Sequence, residues 1–265
     1  MTRALAELIA EGDAVPVEGW DFSWFDGRAT EERPSWGYAR LLSGRIGAAS
    51  AMLDIQTGGG EVLAEAVRTA RKATGTARPG VLVATESWPP NLALATRALT
   101  PHGGAVVAAA DDADLPFADA SFDLVSSRHP VIDPWPEIAR VLAPGGSYFA
   151  QHVGPGSNRE LTDFMMGPQP VSWSRSPRVA AAAARMAGLD VVDVREQALQ
   201  VEFFDVAAVV YFLKKVLWTV PGFTVEGYAG PLARMHAHIQ LHGSFVSHSR
   251  RFLIEARQPQ RTDPS

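Results

Sequence analysis

Cysteine is missing from all 265 residues of the sequence. Its absence excludes a disulfide framework, a thiolate zinc site and a cysteine nucleophile. A dense run of Lys and Arg is missing too, and the formal net charge is −5. Proteins whose main partner is nucleic acid usually carry an excess of basic residues on one face. The composition therefore argues against a nucleic-acid partner.

Long apolar runs are also absent. The most apolar segment, "VAAVVYFL" at residues 206–213, is much shorter than the ~20 residues that cross a bilayer as a helix. The N-terminal "MTRALAELIAEG" predicts a short amphipathic helix, without the apolar run and cleavage site of a signal peptide. We therefore expect a cytoplasmic protein that has no membrane partner.

From Ala51 onwards, short apolar runs bounded by Gly or Pro alternate with helical stretches. This alternation predicts an α/β, doubly wound, mostly parallel seven-stranded sheet with helices on both faces. The first six strands are predicted at "AMLDI", "GVLVAT", "GAVVAAA", "FDLVSSR", "GSYFAQHV" and "LDVVDV". "SFVSHSRRFLIEARQ" predicts a last strand, which we expect to be antiparallel.

The chain is expected to have three regions. They are an aromatic, helical N-terminal cap or lid at residues 1–45, the main domain at residues 46–257, and a disordered tail at residues 258–265. Within the main domain, a helical insertion at about residues 200–242 precedes the last strand. Asp205 is predicted as the N-cap of its first helix, and Gly243 is predicted to end its second.

A glycine turn, "DIQTGGGEVL", follows the first strand of the predicted parallel sheet. Such a turn lies at the carboxyl edge, where open α/β sheets bind ligands. A dinucleotide fingerprint fails because its third glycine falls on Leu63, and a phosphate loop fails because Glu61 and Val62 replace Lys and Ser or Thr. A carboxylate at Asp54 would repel a phosphate. It suits a ligand with a positive amino group, such as S-adenosylmethionine.

Other acids follow the next two strands. Glu86 ends the second strand, where a carboxylate can accept both ribose hydroxyls. Asp111 or Asp112 follows the third strand and could accept from an adenine amino group.

With these residues in place, the stretch from about Ala51 to Val153 resembles class I S-adenosylmethionine-dependent methyltransferases. It is most similar to the methyltransferase type 11-like branch, through "DIQTGGG", "ATES", "DDADLPF", "SFDLV" and "IARVLAPGGSY" in that order. The resemblance implies a Rossmann-like fold and S-adenosylmethionine as cofactor. The cofactor-binding residues that it implies are Asp54, Gln56, Thr57, Gly58, Gly60, Glu86, Ser87, Asp111, Asp112 and Arg128.

One position departs from the family. Gln56 stands where the family normally has a glycine facing the methionine end of the cofactor. Its side chain must either point away from the cofactor or contact it.

Two histidines are candidate general bases. His129 follows the fourth strand and His152 ends the fifth, so both are expected at the cofactor edge. Each histidine could instead be a lid contact or a structural residue. Besides its cofactor role, Arg128 could bind an acidic acceptor or pair with a carboxylate.

The methyl acceptor is expected to be a small, partly apolar molecule. "SRHPV" stands where the family places N-P-P-Y for amide or adenine-amino methylation, which disfavours those acceptors. The N-terminal segment is rich in aromatic residues, including Trp20, and could close over the site. We expect Trp24, Trp36 and Tyr211 to contact the acceptor, with ordinary packing as the alternative.

No metal site is predicted. His238 and His242 have the spacing of helical metal ligands, but no acid completes the set. The predicted activity is O- or N-methylation of a small molecule. The alternatives are an RNA methyltransferase, an inactive scaffold with the same fold, and cofactor-dependent chemistry other than methyl transfer.

Overall fold

The computed structural model describes residues 4–17, 22–75 and 79–260. Trp20 and residues 261–265 of the predicted tail lie outside these residues. The helices are α1 (Leu5–Ala14), α2 (Tyr38–Ala48), α3 (Glu61–Thr74), α4 (Pro89–Leu99), α5 (Trp135–Val141), α6 (Arg159–Met166), α7 (Pro177–Met186), α8 (Val206–Lys215) and α9 (Ala229–His242). The strands are β1 (Ala29–Glu31), β2 (Ala51–Ile55), β3 (Val81–Glu86), β4 (Ala105–Ala108), β5 (Phe122–Arg128), β6 (Leu142–Val153), β7 (Asp190–Phe203) and β8 (Phe245–Arg257).

The strands form one sheet in the order β1-β7-β8-β6-β5-β2-β3-β4. Strand β2 is parallel to β3 on one side and to β5 on the other. The chain runs outward through β3 and β4, then returns to the opposite side of β2 as β5. This reversal makes the carboxyl ends of β2 and β5 the topological switch point, where such sheets bind ligands.

The last strand is antiparallel, as predicted. Gly145 N–H donates to the Gln258 carbonyl at 2.9 Å, and Gly154 N–H donates to the Arg250 carbonyl at 2.8 Å. From Gly145 to Gly154 the residue numbers rise, while those of their partners fall from Gln258 to Arg250, so β8 is antiparallel to β6.

The predicted strand count was wrong by one, because the sheet has eight strands. The additional strand, β1, is only three residues long and pairs antiparallel with β7, placing Ala29 opposite Phe203. It lies in the aromatic N-terminal segment, which has no alternating pattern to indicate a strand.

The chain forms two compact units. The larger unit contains Pro34–Val153, Arg175–Glu196 and Phe252–Ser265, and the smaller contains Met1–Arg33, Gly154–Ser174 and Gln197–Arg251. The boundaries of the predicted cap, main domain and tail stay predictions.

In the larger unit, α3 shows how the sequence directs packing. Its buried residues Leu63, Ala66, Val67 and Ala70 recur at helical spacing, so one apolar stripe faces the core. Gly75 ends the helix in the left-handed conformation.

In the smaller unit, two predicted helix ends are confirmed. The Asp205 carboxylate accepts the Ala208 N–H at 2.8 Å and caps α8. Gly243 closes α9 in the left-handed conformation. Within the described ranges, none of the helices is both long and apolar enough to cross a membrane.

Candidate functional site

The turn after β2 is built from residues that adopt the left-handed conformation. Gly58 has φ 66°, Gly60 has φ 79°, and Gln56 has φ 54°. The backbone at Gly60 also packs closely against α4, since a Cβ at this position would lie 3.0 Å from the Ala95 Cα. This turn therefore needs glycine at position 60, whereas Gln56 holds a conformation that favours glycine over other residues.

Asp54 lies inside the carboxyl end of β2 and is buried. The Ser126 hydroxyl on neighbouring β5 donates to its Oδ1 atom. Burial raises the pKa of Asp54 to about 6, although the Ser126 hydrogen bond and the Arg128 charge oppose that rise. The carboxyl group is therefore mainly ionised at neutral pH and remains poorly solvated.

Glu86 ends β3, the next strand along this edge, and is also buried. Its Oε2 atom accepts the Gly58 N–H at 2.8 Å. Its Oε1 atom accepts the N–H groups of Ser87 and Trp88 at 3.1 and 2.9 Å. Three of roughly four lone-pair sites are thus taken by backbone donors. Glu86 fixes the glycine turn to β3 and retains room for about one further hydrogen bond.

The other predicted cofactor residues follow the same strand edge. Thr57 donates its backbone N–H to the Thr85 carbonyl at 3.0 Å. Ser87 is exposed just beyond β3, and past the end of β4 Asp111 is half-buried while Asp112 is exposed. Arg128 ends β5 and is exposed.

Gln56 binds the loop that follows β5. Its Nε2 atom donates to the Ile132 carbonyl at 2.7 Å, and its Oε1 atom accepts the Val131 N–H at 2.6 Å. Sequence left two orientations open for this side chain. In the structure, both the oxygen and the nitrogen of the Gln56 amide form hydrogen bonds with the protein backbone.

His129 belongs to a hydrogen-bonded row in the larger unit. The Trp36 indole N–H donates to Gln151 Oε1 at 2.8 Å, and Gln151 Nε2 lies 3.1 Å from His129 Nε2. Because an indole can only donate, the Gln151 oxygen must face Trp36, so its NH₂ group must face the histidine. Nε2 of His129 therefore accepts, and a neutral ring carries its proton on Nδ1.

His152 has a different environment. It is buried, its ring stacks on Phe252 with 4.5 Å between centroids, and its Nδ1 lies 3.6 Å from Asp133 Oδ2. Burial lowers the pKa of His152, while the Asp133 charge raises it. The Tyr148 hydroxyl donates to the other Asp133 oxygen at 3.1 Å. Asp133 is therefore held between a tyrosine and a histidine, an arrangement that the sequence did not reveal.

The predicted acceptor contacts divide between the two units. Trp24 and Tyr211 lie in the smaller unit with ring centroids 5.1 Å apart, and Trp36 lies in the larger unit beside Gln151. Both Trp36 and Tyr211 are buried. Nothing in this arrangement decides between acceptor binding and packing, so these three contacts stay predictions.

The two histidines at the end of α9 lie close together. His238 and His242 have ring centroids 4.5 Å apart. Among residues 4–17, 22–75 and 79–260, no three His, Cys, Asp or Glu side chains form a group that could hold a metal.

The doubly wound sheet, with buried carboxylates near the carboxyl ends of the adjacent strands β2 and β3, has a Rossmann-like fold. Residues 53–150 match a family model described as a methyltransferase domain. Residues 53–150 are therefore a methyltransferase domain, which confirms the resemblance to S-adenosylmethionine-dependent methyltransferases found in the sequence. No curated protein gives a significant match to the chain.

Solved structures share the fold. A candidate methyltransferase from Bacillus halodurans is 17% identical with TM-score 0.56, covering 84% of this chain and 99% of its own. A candidate sarcosine dimethylglycine methyltransferase from Galdieria sulphuraria is 14% identical with TM-score 0.51, covering 97% and 99%. The cyclase SpnF is 17% identical with TM-score 0.50, covering 97% and 93%. At these identities the likeness shows the fold.

Proposed function

We propose that the protein transfers the methyl group of S-adenosylmethionine to an oxygen or nitrogen of a small, partly apolar acceptor. The supporting observation is the pair of buried carboxylates, Asp54 and Glu86, at the ends of adjacent strands beside a glycine turn. No phosphate-binding lysine follows the turn, where Glu61 begins α3. This set of groups suits a ligand with an ammonium and ribose hydroxyls, and it disfavours a nucleotide phosphate.

Each side chain has a distinct role in this proposal. Asp54 pairs with the cofactor ammonium, and Glu86 accepts a ribose hydroxyl through its remaining lone pair. Asp111 or Asp112 accepts from the adenine amino group. When bound, S-adenosylmethionine supplies an activated methyl group, so the protein contributes mainly proximity and alignment. The turn and Glu86 are already joined by the Gly58 hydrogen bond, which preorganises the cofactor edge.

The two histidines differ as candidate bases. His129 Nε2 is occupied by the Gln151 amide, so accepting a proton there requires that contact to break. His152 has a carboxylate, Asp133, beside Nδ1 that would stabilise a protonated ring, and its buried Nε2 has no hydrogen-bond partner among the described residues. We therefore favour His152 as the base, with Nε2 as the atom that takes the proton.

A small acceptor is supported by composition and by aromatic content. The net charge of −5 disfavours a polyanionic substrate. Aromatic side chains supply large apolar contact area for a flat molecule.

Calorimetric titration with S-adenosylmethionine and S-adenosylhomocysteine tests the cofactor assignment. We expect micromolar dissociation constants, weakened at least tenfold in Asp54→Asn. The matched control is Asp123→Asn, because Asp123 accepts the Ser50 and Ala51 N–H groups at the opposite end of β2. Equal affinity in wild type and Asp54→Asn, or no binding at millimolar cofactor, would contradict the proposal.

An acceptor screen that measures S-adenosylhomocysteine release tests the reaction. Release with a small hydroxyl or amine compound supports the proposal, whereas release only with RNA supports the RNA alternative. Tight cofactor binding without release in any acceptor pool indicates a scaffold or chemistry other than methyl transfer.

A further inference from the structure

Lys215, at the C-terminal end of α8 in the smaller unit, is buried with only 7% of its surface exposed. Its Nζ atom has no hydrogen-bond partner among the residues that the structure describes. A buried ammonium without a partner is strongly unfavourable, because it loses hydration and gains no compensating charge. This lysine therefore needs an explanation beyond packing.

Neighbouring cations in the same unit are paired. Lys214 Nζ lies 2.7 Å from the Asp13 carboxylate. Arg28 stacks over Trp24 at 4.4 Å and also bonds Asp205 at 3.0 Å. Among the described residues of this cluster, Lys215 thus differs from Lys214 and Arg28 in having no carboxylate partner. Thr219, four residues further on, likewise has a buried hydroxyl without a partner among the described residues.

Two aromatic rings lie near the ammonium. Nζ lies 5.2 Å from the Phe22 ring centroid and 5.4 Å from that of Tyr211. Tyr211 in turn contacts Trp24 and Phe25 at 5.1 and 4.9 Å between centroids. Cation–π attraction offsets part of the desolvation of Lys215 without neutralising its charge. An apolar wall with one unneutralised cation is complementary to an apolar molecule that bears one anionic group.

We propose that Lys215 and this aromatic cluster form a binding site for a small carboxylate with an apolar body, such as an aryl or alkyl acid. The carboxylate pairs with the ammonium, and the apolar body packs on the rings. The site lies in the smaller unit and shares Trp24 and Tyr211 with the predicted acceptor contacts. Carboxylate binding to Lys215 requires no cofactor, so its test does not depend on methyl transfer.

Phenylacetate is the test ligand, and phenylacetamide, its neutral isostere, is the control ligand. Titration without cofactor is expected to give saturable phenylacetate binding to wild type, and at least tenfold weaker phenylacetamide binding. Lys215→Met should lose at least tenfold in phenylacetate affinity. Lys214→Met, which removes an adjacent but paired lysine, should bind phenylacetate like wild type.

Thermal unfolding supplies a readout that a structural role for Lys215 would not reproduce. A ligand-binding cation without a partner is unfavourable in the empty protein, so Lys215→Met should have an equal or higher Tm than wild type. Should Lys215→Met not fold, Lys215→Gln gives the same comparison. A markedly lower Tm together with unchanged phenylacetate affinity would overturn the proposal, as would the absence of saturable binding to wild type.

Two acids that precede Phe22 in the sequence, Glu18 and Asp21, lie outside the described residues. The variants Glu18→Gln and Asp21→Asn test whether either of them neutralises Lys215. Unchanged phenylacetate affinity in both supports the proposal. A loss of Tm in either variant that disappears in the Lys215→Met background would show an internal ion pair and overturn it.

Discussion

Replacing Gln56 by glycine separates two opposing effects at the glycine turn after β2. Gln56 has φ 54°, which is strained for a residue with a side chain. The same side chain makes hydrogen bonds to Val131 and Ile132 at 2.6 and 2.7 Å. Glycine removes the strain together with both hydrogen bonds, whereas alanine removes only the hydrogen bonds. Comparing Gln56→Gly with Gln56→Ala therefore measures each effect.

The hydrogen bonds should dominate. Each contributes about 0.5–1.5 kcal/mol, so their joint loss costs about 2 kcal/mol. Relief of left-handed strain returns about 1 kcal/mol in the glycine variant alone. We expect Gln56→Ala to lower the free energy of unfolding of the larger unit by about 2 kcal/mol and Gln56→Gly to lower it by about 1 kcal/mol.

Amide hydrogen exchange at Val131 is the direct assay, because this N–H donates to Gln56 Oε1. Its protection should fall in both variants, and urea denaturation should give the order wild type, Gln56→Gly, Gln56→Ala in decreasing stability. Unchanged exchange at Val131, or a glycine variant more stable than wild type, would refute the claim that the loop contacts outweigh the strain.

Two further predictions concern the pKa of Asp54 and the tautomer of His129. Burial raises the pKa of Asp54 in the ligand-free protein to about 6. Below that pH the carboxylate becomes protonated and loses its charge, so the affinity for S-adenosylmethionine should fall. The loss should approach tenfold per pH unit, and Asp54→Asn should show a flat profile between pH 5 and 7 by titration calorimetry. Trp36→Phe removes the indole donor that orients Gln151, so nitrogen-15 NMR should show His129 shifting from the Nδ1–H form toward a mixture. An unchanged His129 spectrum would contradict the row of hydrogen bonds.

Local patterns in the sequence were sufficient for most of the fold. The strand "FDLVSSR" was predicted at the bounds that β5 has, and the first predicted strand matches β2. The positions of Asp54 and Glu86 at strand ends followed from parallel topology, since carboxyl ends meet at one edge. These features depend on residues close together in the chain or on a general rule of sheet construction.

Features that depend on distant residues could not be predicted. Strand β1 exists because it pairs with β7, about 170 residues later, and its own three residues carry no pattern. The partner of Gln56 lies 75 residues away in a loop. The contact of Asp133 with Tyr148 and His152 likewise requires the loop after β5 to fold back against β6. Sequence periodicity contains no information on such contacts.

Gln56, which stands where the resembled family has glycine, has a structural role in the turn. The turn retains left-handed backbone at position 56, so its path does not require glycine there. Both polar atoms of the Gln56 amide form hydrogen bonds with the loop after β5. Asp133 in the same loop lies beside His152. Gln56 therefore links the glycine turn to the loop beside the favoured base. Gly58 still donates its N–H to Glu86, so glutamine at position 56 is compatible with the hydrogen bond that joins the glycine turn to β3.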